Sequence, residues 1–433
     1  MMPQSRFMLV APVKANREGP LRALLVSMNL RPGVADPENG LVPFGRFDRL
    51  HFARFVILDD PAVDDITVYG LPRPEYGISL AFLADCDGPA DEFLADLVHR
   101  AGDGLRRIFA HCEGFSSGED LLGWMKAHAV RPAASYVNWI GRTVRQIREE
   151  AALREALLTY VDQNAAALAG MEAGRIHGRL KEFVAAEHQA GRLTLTPPDP
   201  TPLSWRARDL LHAVGVPLVL LLLTPVLLLY LPLFVFQLRR RERRDPEIVP
   251  RPDPAHVRHL ADLEDHDVTN QFSAMGSVKP GLFRRWTVVF LLWILYYGMR
   301  HIYNQGYLTR VTTIHFAHWT FLDGKRRLLF ASNYDGSLES YMDDFINKVA
   351  WGLNLAFSNG VGYPRTNWLI LDGAKDEQKF KQFLRRHELP TEVWYKAYPG
   401  LSNVDLQRNA RIRQGLEQSE MTAAEVSQWL SLF

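Results

Sequence analysis

Two histidines recur in matching surroundings. Leu50-His51-Phe52-Ala53-Arg54-Phe55-Val56-Ile57-Leu58-Asp59 is echoed 264 positions later by Ile314-His315-Phe316-Ala317-His318-Trp319-Thr320-Phe321-Leu322-Asp323. A neutral imidazole can ligate haem iron or another metal, and an arginine can stabilise an iron-bound oxygen or a carboxylate. On a strand, alternate side chains share a face. His51 therefore falls with Ala53, Phe55 and Ile57, whereas Arg54 falls with Phe52, Val56 and Leu58; His315 and His318 separate in the same way. One of two basic pairs faces inward, either His51 with His315 or Arg54 with His318. The plainer reading is a hydrogen-bonded histidine at a strand start, copied with everything around it. Asp87-Gly88 and Asp335-Gly336 form a second repeated pair. Asp-Gly supplies a left-handed turn position and can cap the helix that follows. Lys14 and Lys279 close matching segments and read as solvated strand ends. Cys112 sits at a helix end, where a thiol pKa can be lowered. His256, His259, Glu264, Asp265 and His266 lack a ligand frame such as His-Glu-x-x-His, and beside Pro252 and Pro254 they read as linker.

The elements that must position these residues come in two copies. Arg6-Phe7 through Lys14 matches Gln271-Phe272 through Lys279, Cys86-Asp87-Gly88 matches Tyr334-Asp335-Gly336, and 133–140 resembles 391–398. In the first copy 7–13, 51–58, 78–84 and 135–140 read as strands, and 20–28 and 90–111 as helices. The order β-α-β-β-α-β is the ferredoxin-like split unit. Such a sheet carries helices on one face only, so two copies can pack their bare faces together. The predicted fold class is α+β: two ferredoxin-like repeats, 1–142 and 268–418, forming an intramolecular α+β barrel. Between them lie a solvated helical connector with a Pro-rich linker (143–204), an apolar hairpin with basic flanks (205–245) and a linker (246–267). A C-terminal helix occupies 419–433.

This arrangement resembles the dimeric α+β barrel superfamily, which includes dye-decolourising peroxidases and chlorite dismutases. The resemblance lies in element order; the peroxidases' Gly-x-x-Asp-Gly motif is met by Ala84-Asp85-Cys86-Asp87-Gly88 and Ser332-Asn333-Tyr334-Asp335-Gly336, which keep Asp-Gly but not the leading glycine. It implies a cavity between the sheets, Asp87 and Asp335 as distal acids, and haem as a cofactor held by His51 or His315. The candidate catalytic set is then His51, His315, Arg54, His318, Asp87 and Asp335.

With 433 residues the chain suggests two to three domains, and 50 Lys+Arg against 49 Asp+Glu argues against a nucleic-acid partner. Ala213 to Leu238 is 26 residues without a charge, long enough as a helix for a hydrocarbon core of roughly 30 Å. If it crossed a bilayer, the two repeats would lie on opposite sides and could not pair. Pro217, Pro225 and Pro232 interrupt it, and Pro225 marks the turn of a re-entrant hairpin. Basic residues flank both ends, with Arg239, Arg240, Arg241, Arg243 and Arg244 placed to meet anionic headgroups. The reading is a monotopic, membrane-associated protein on the cytoplasmic face of the inner leaflet, with the aromatic helix 286–299 also touching lipid. Its expected role is oxidoreductase-like chemistry or binding of an apolar ligand, lipid or haem, between the sheets. The alternative is a non-catalytic scaffold that localises a partner enzyme.

Overall fold

The aromatic and β-branched runs form the long strands. In the computed structural model, which describes residues 2–306, 308–418 and 420–433, the first half contains β1 Gln4–Pro12, β2 Leu50–Leu58, β3 Ser79–Asp87 and β4 Ala134–Val137. The second contains β5 Thr269–Ser277, β6 Ile314–Leu322, β7 Arg327–Asp335 and β8 Thr391–Lys396. Helices α1 Glu18–Val26, α2 Ala90–Phe109 and α3 Leu121–Ala127 belong to the first half. Next come α4 Val144–Gln163, α5 Ala173–Gln189, α6 Leu203–Glu242 and α7 Pro254–Ala261. The second half adds α8 Leu282–His301, α9 Leu338–Phe357 and α10 Glu377–His387, and the chain ends with α11 Asn403–Glu417 and α12 Ala423–Leu430. The boundary drawn at 419 falls outside the described residues. The likeness of the halves reaches fine detail. Helices α2 and α9 both have 20 residues, and each leaves helical geometry at its twelfth, Ala101 (φ −128°) and Val349 (φ −143°).

The strands form two four-stranded antiparallel sheets, ordered β1-β3-β2-β8 and β4-β6-β7-β5. Each half's last strand is thus exchanged. Trp394 of β8 lies opposite Arg54 of β2, and Ser135 of β4 opposite His318 of β6. Contrary to the expectation of a barrel, the sheets do not close. Isolated bridges join them at their edges: the Val130 N–H donates to the Met8 carbonyl at 2.8 Å, and the Leu389 N–H to the Ser273 carbonyl at 2.7 Å.

Outward faces pack on helices. Phe55 and Phe82 stack at 4.3 Å between ring centroids under α2, and truncating a buried phenylalanine of this kind costs about 3–5 kcal/mol. The inward faces meet in a smaller layer that includes Met8, Val56, Leu83, Met275, Leu322 and Leu329. The region 143–195 is not a solvated connector. Leu153, Leu157, Leu180 and Val184 share a core with Ile412, Leu416 and Trp429, so α4 and α5 pack with α11 and α12. The Trp429 indole N–H donates to the Ile412 carbonyl at 3.0 Å. Lys279 is not a solvated strand end either. It is 4% exposed, with Nζ 2.9 Å from Asp245 Oδ2 and 2.8 Å from the Ser358 carbonyl. Burial lowers its pKa to about 8. Cys112 is buried, which pushes its thiol up to about 12 and makes it unreactive at neutral pH.

The hairpin expectation is also corrected. The segment forms one uninterrupted helix of 40 residues, α6, and Pro217, Pro225 and Pro232 all lie inside it. It is long and apolar enough to cross a membrane, about 60 Å at 1.5 Å per residue. Each proline removes one helical hydrogen bond, and the bonds on either side carry the helix through without reversing the chain. Both ends of α6 are fastened to the same folded body. Near its start, Asp209 Oδ1 accepts from Arg300 Nε at 2.7 Å, and the Ala213 carbonyl accepts from the Tyr297 hydroxyl at 3.1 Å. Near its end, buried Glu242 accepts from the backbone N–H groups of Trp368 and Leu369. Between these ties Leu222 and Leu229 are 70% and 85% exposed.

Candidate functional site

The six residues singled out in the sequence come together as two sets. In the first set, His51 Nε2 lies 2.9 Å from Asp87 Oδ1, and Asp87 Oδ2 accepts from the Val144 N–H at 2.9 Å. His315 Nε2 lies 2.7 Å from Asp335 Oδ1, and Asp335 Oδ2 accepts from the Asn403 N–H at 2.7 Å. A carboxylate only accepts, so Nε2 carries the proton in both histidines. In neutral His51 the other nitrogen then accepts from the Tyr398 hydroxyl, 3.2 Å away. Burial raises the Tyr398 pKa well above its ordinary value, which keeps that proton in place. Val144 and Asn403 are the first residues of α4 and α11. The aspartates therefore cap those helices, where an acidic group satisfies free N–H groups and opposes the helix dipole. The helices that directly follow the turns are started by other residues: Ser337 caps α9 by accepting from the Ser340 N–H, and Pro89 precedes α2 without a side-chain cap. Gly88 and Gly336 take φ of 77° and 86°, the left-handed position that Asp-Gly supplies.

Haem does not fit beside these histidines. His51 and His315 are 1% and 2% exposed, and the cavity they share with Tyr398, Asn138 and Arg142 measures about 30 Å³, room for about one water. The Nε2 atoms that would ligate iron are engaged with carboxylates.

The second set faces the space between the sheets. Arg54 donates to the carbonyls of Phe272 and Ser332, each at 2.9 Å, to Ser273 Oγ at 3.0 Å and to Asn333 Oδ1. Burial lowers its pKa to about 10, with the Asp85 carboxylate opposing. It is a clamp between the two sheets, with both terminal nitrogens committed. His318 Nε2 lies 2.8 Å from Asp85 Oδ1, while His318 Nδ1 is buried without a hydrogen-bond partner.

Asp85 leads to the feature the sequence reading missed. On β3 it pairs with Arg6 of β1. Arg6 lines an open groove of about 1060 Å³ between the edges of β1 and β4, walled by the first turns of α6 (Trp205, Arg208, His212) and the last turns of α8 (Tyr296, Arg300). Burial lowers the Arg6 pKa, with Asp85 opposing, and Arg6 Nη1 is buried without a hydrogen-bond partner. The lining carries Arg6, Lys126, Arg131, Arg208 and Arg300 against the carboxylate of Asp91. Arg300 is fixed by Asp209 and the Tyr296 hydroxyl, with its guanidinium 5.6 Å from the Trp205 ring centroid. These residues come from five separate parts of the chain, so no local spacing announces them; only the Arg206 and Arg208 flank was visible as charge beside an apolar run. The basic flank at the far end of α6 is partly committed to the fold. Arg239 pairs with Glu242 and lies over Trp368, and Arg241 lies over Phe283. Arg240, Arg243 and Arg244 are exposed.

Comparison with protein-family models, with curated proteins and with solved structures finds no match to this chain.

Proposed function

We propose that this chain is a membrane-associated ligand-binding protein that receives a lipid from the bilayer into the groove between its sheets. In this reading its two halves are ferredoxin-like units related to the dimeric α+β barrel proteins. The protein is monotopic on the cytoplasmic leaflet, with α6 lying in the leaflet rather than crossing it. One observation carries the proposal: the helix whose exposed leucines face outward also forms a wall of the groove of about 1060 Å³. Lipid-facing surface and ligand-sized space are thereby continuous. Fastening of both ends of α6 to one body supports in-plane insertion, because a crossing helix would separate them by a bilayer.

The test is flotation of the full chain with liposomes of neutral phosphatidylcholine, followed by native mass spectrometry of the detergent-purified protein. Co-flotation with a stoichiometric bound lipid supports the proposal. Co-flotation with no lipid retained favours the scaffold that localises a partner enzyme, and failure to float removes membrane association.

A further inference from the structure

The chemistry of the groove says more than its size. Arg131 and Lys126 are exposed on its rim and form no ion pair among the described residues. Arg6 reaches into it with a buried, unpartnered Nη1. Arg300 is held rigidly, and the Trp205 and Tyr296 rings stand beside it. The other half of the molecule provides a built-in comparison. Where β1 carries Arg6, β5 carries Gln271, and Gln271 accepts from the Thr391 hydroxyl. On that side Arg385 is paired with Glu264 at 2.7 Å and Glu388 at 3.1 Å, and Arg386 with Asp65 at 2.6 Å. Gln271 and Arg385 on one edge are thus partnered within the protein, while Arg6 Nη1, Lys126 and Arg131 on the other have no partner among the described residues. Buried donors are ordinarily satisfied, and an unpartnered guanidinium nitrogen that stands among further cations favours an anionic acceptor over a neutral one.

We infer that the groove binds a phosphate monoester anion, with Arg6 and Arg131 among its donors. This rests on the ligand-binding reading above and names the ligand's polar end. The apolar run begins at Ala213, one residue beyond His212 of the groove wall. A lipid held by its phosphate would thus lay its chains along α6.

The experiment titrates the full chain, in a non-ionic detergent, with dihexanoyl phosphatidate, dihexanoyl phosphatidylcholine and glycerol 3-phosphate by calorimetry. Phosphatidate is expected to bind at least about tenfold more tightly than the choline lipid, equivalent to about 1.4 kcal/mol. Arg6→Gln and Arg131→Gln should each weaken it by about tenfold. The first installs the residue the other half already carries, and the second alters an exposed side chain, so loss of binding need not mean loss of folding. Glycerol 3-phosphate binding as tightly as phosphatidate keeps the phosphate site and assigns it a soluble ligand. Equal affinity for the choline lipid, unchanged binding by both variants, or no saturable binding overturns the inference. Because the probes are soluble, the outcome is independent of flotation.

Discussion

His318 of β6 and Asp85 of β3 meet at 2.8 Å across the space between the two sheets. The corresponding positions in the other direction are Arg54 of β2 and Asn333 of β7, which also bond to each other. The inward faces are therefore tied by a histidine–carboxylate contact as well as by the guanidinium of Arg54. His318→Ala would leave Asp85 buried beside an uncommitted space, at a cost of about 3–5 kcal/mol. Urea denaturation should show that loss. Adding Asp85→Asn to the same chain should recover part of it, whereas simple additivity of the two changes would mean the pair is not coupled.

The histidines that suggested haem make a different prediction. Hemin added to the purified chain should not survive gel filtration as a Soret-absorbing complex, since the cavity near His51 and His315 measures about 30 Å³. Asp87→Ala should instead lower stability by about 1–3 kcal/mol, because both the His51 N–H and the Val144 N–H lose an acceptor. A tightly held Soret band weakened by His51→Ala would contradict this assignment.

Asp245 is approached by two cations, Lys279 Nζ at 2.9 Å and Arg284 Nη2 at 2.5 Å. The lysine titrates at about 8 when folded, against an ordinary 10.5. Between those values the unfolded chain holds one proton more than the folded chain, so the lysine's contribution to stability rises with pH. Its full penalty, about 3 kcal/mol, applies below pH 8 and is relieved towards pH 10. Urea midpoints compared at pH 7.5 and 9.5 should rise in the parent relative to Lys279→Met. Parallel pH profiles for the two chains would rule the effect out.

Leu222 and Leu229 are exposed on α6. Converting both to arginine should leave thermal stability nearly unchanged, as substitutions away from packed contacts usually stay within about 0.5 kcal/mol each. The same variant should lose co-flotation with liposomes, because charge at these positions opposes insertion. Retained flotation would assign membrane attachment to another surface.

Cys86 and Cys112 are buried, so they contribute little background to thiol labelling. Ala255→Cys, on exposed α7, should resist a membrane-impermeant maleimide in intact cells and react after lysis. Labelling of intact cells would show that α6 spans the bilayer.

Sequence periodicity located most of the long strands, because burial on both faces leaves β2 and β6 mostly apolar. It could not assign partners: β8 pairs with β2 with Trp394 and Arg54 340 positions apart, and nothing local to Thr391–Lys396 encodes that choice. The pairing of His318 with Asp85 was hidden for the same reason. Asp87 read as a turn residue because its capped helix begins 57 positions away. The three prolines of α6 suggested a reversal, but each removes only one helical hydrogen bond and the helix continues through all three. The groove cations were invisible as a group because β1, the segment before β4, α6 and α8 each supply only one or two.

The exchanged last strands also govern how the molecule is made. The first sheet lacks β8 until the ribosome has passed residue 396, long after the leucine-rich α6 has emerged. During translation the N-terminal half must therefore wait with an unpaired β2 edge, while its greasy helix is already available to lipid or chaperone. Separate expression of 1–204 and 205–433 should give two sticky fragments that become soluble only when produced together.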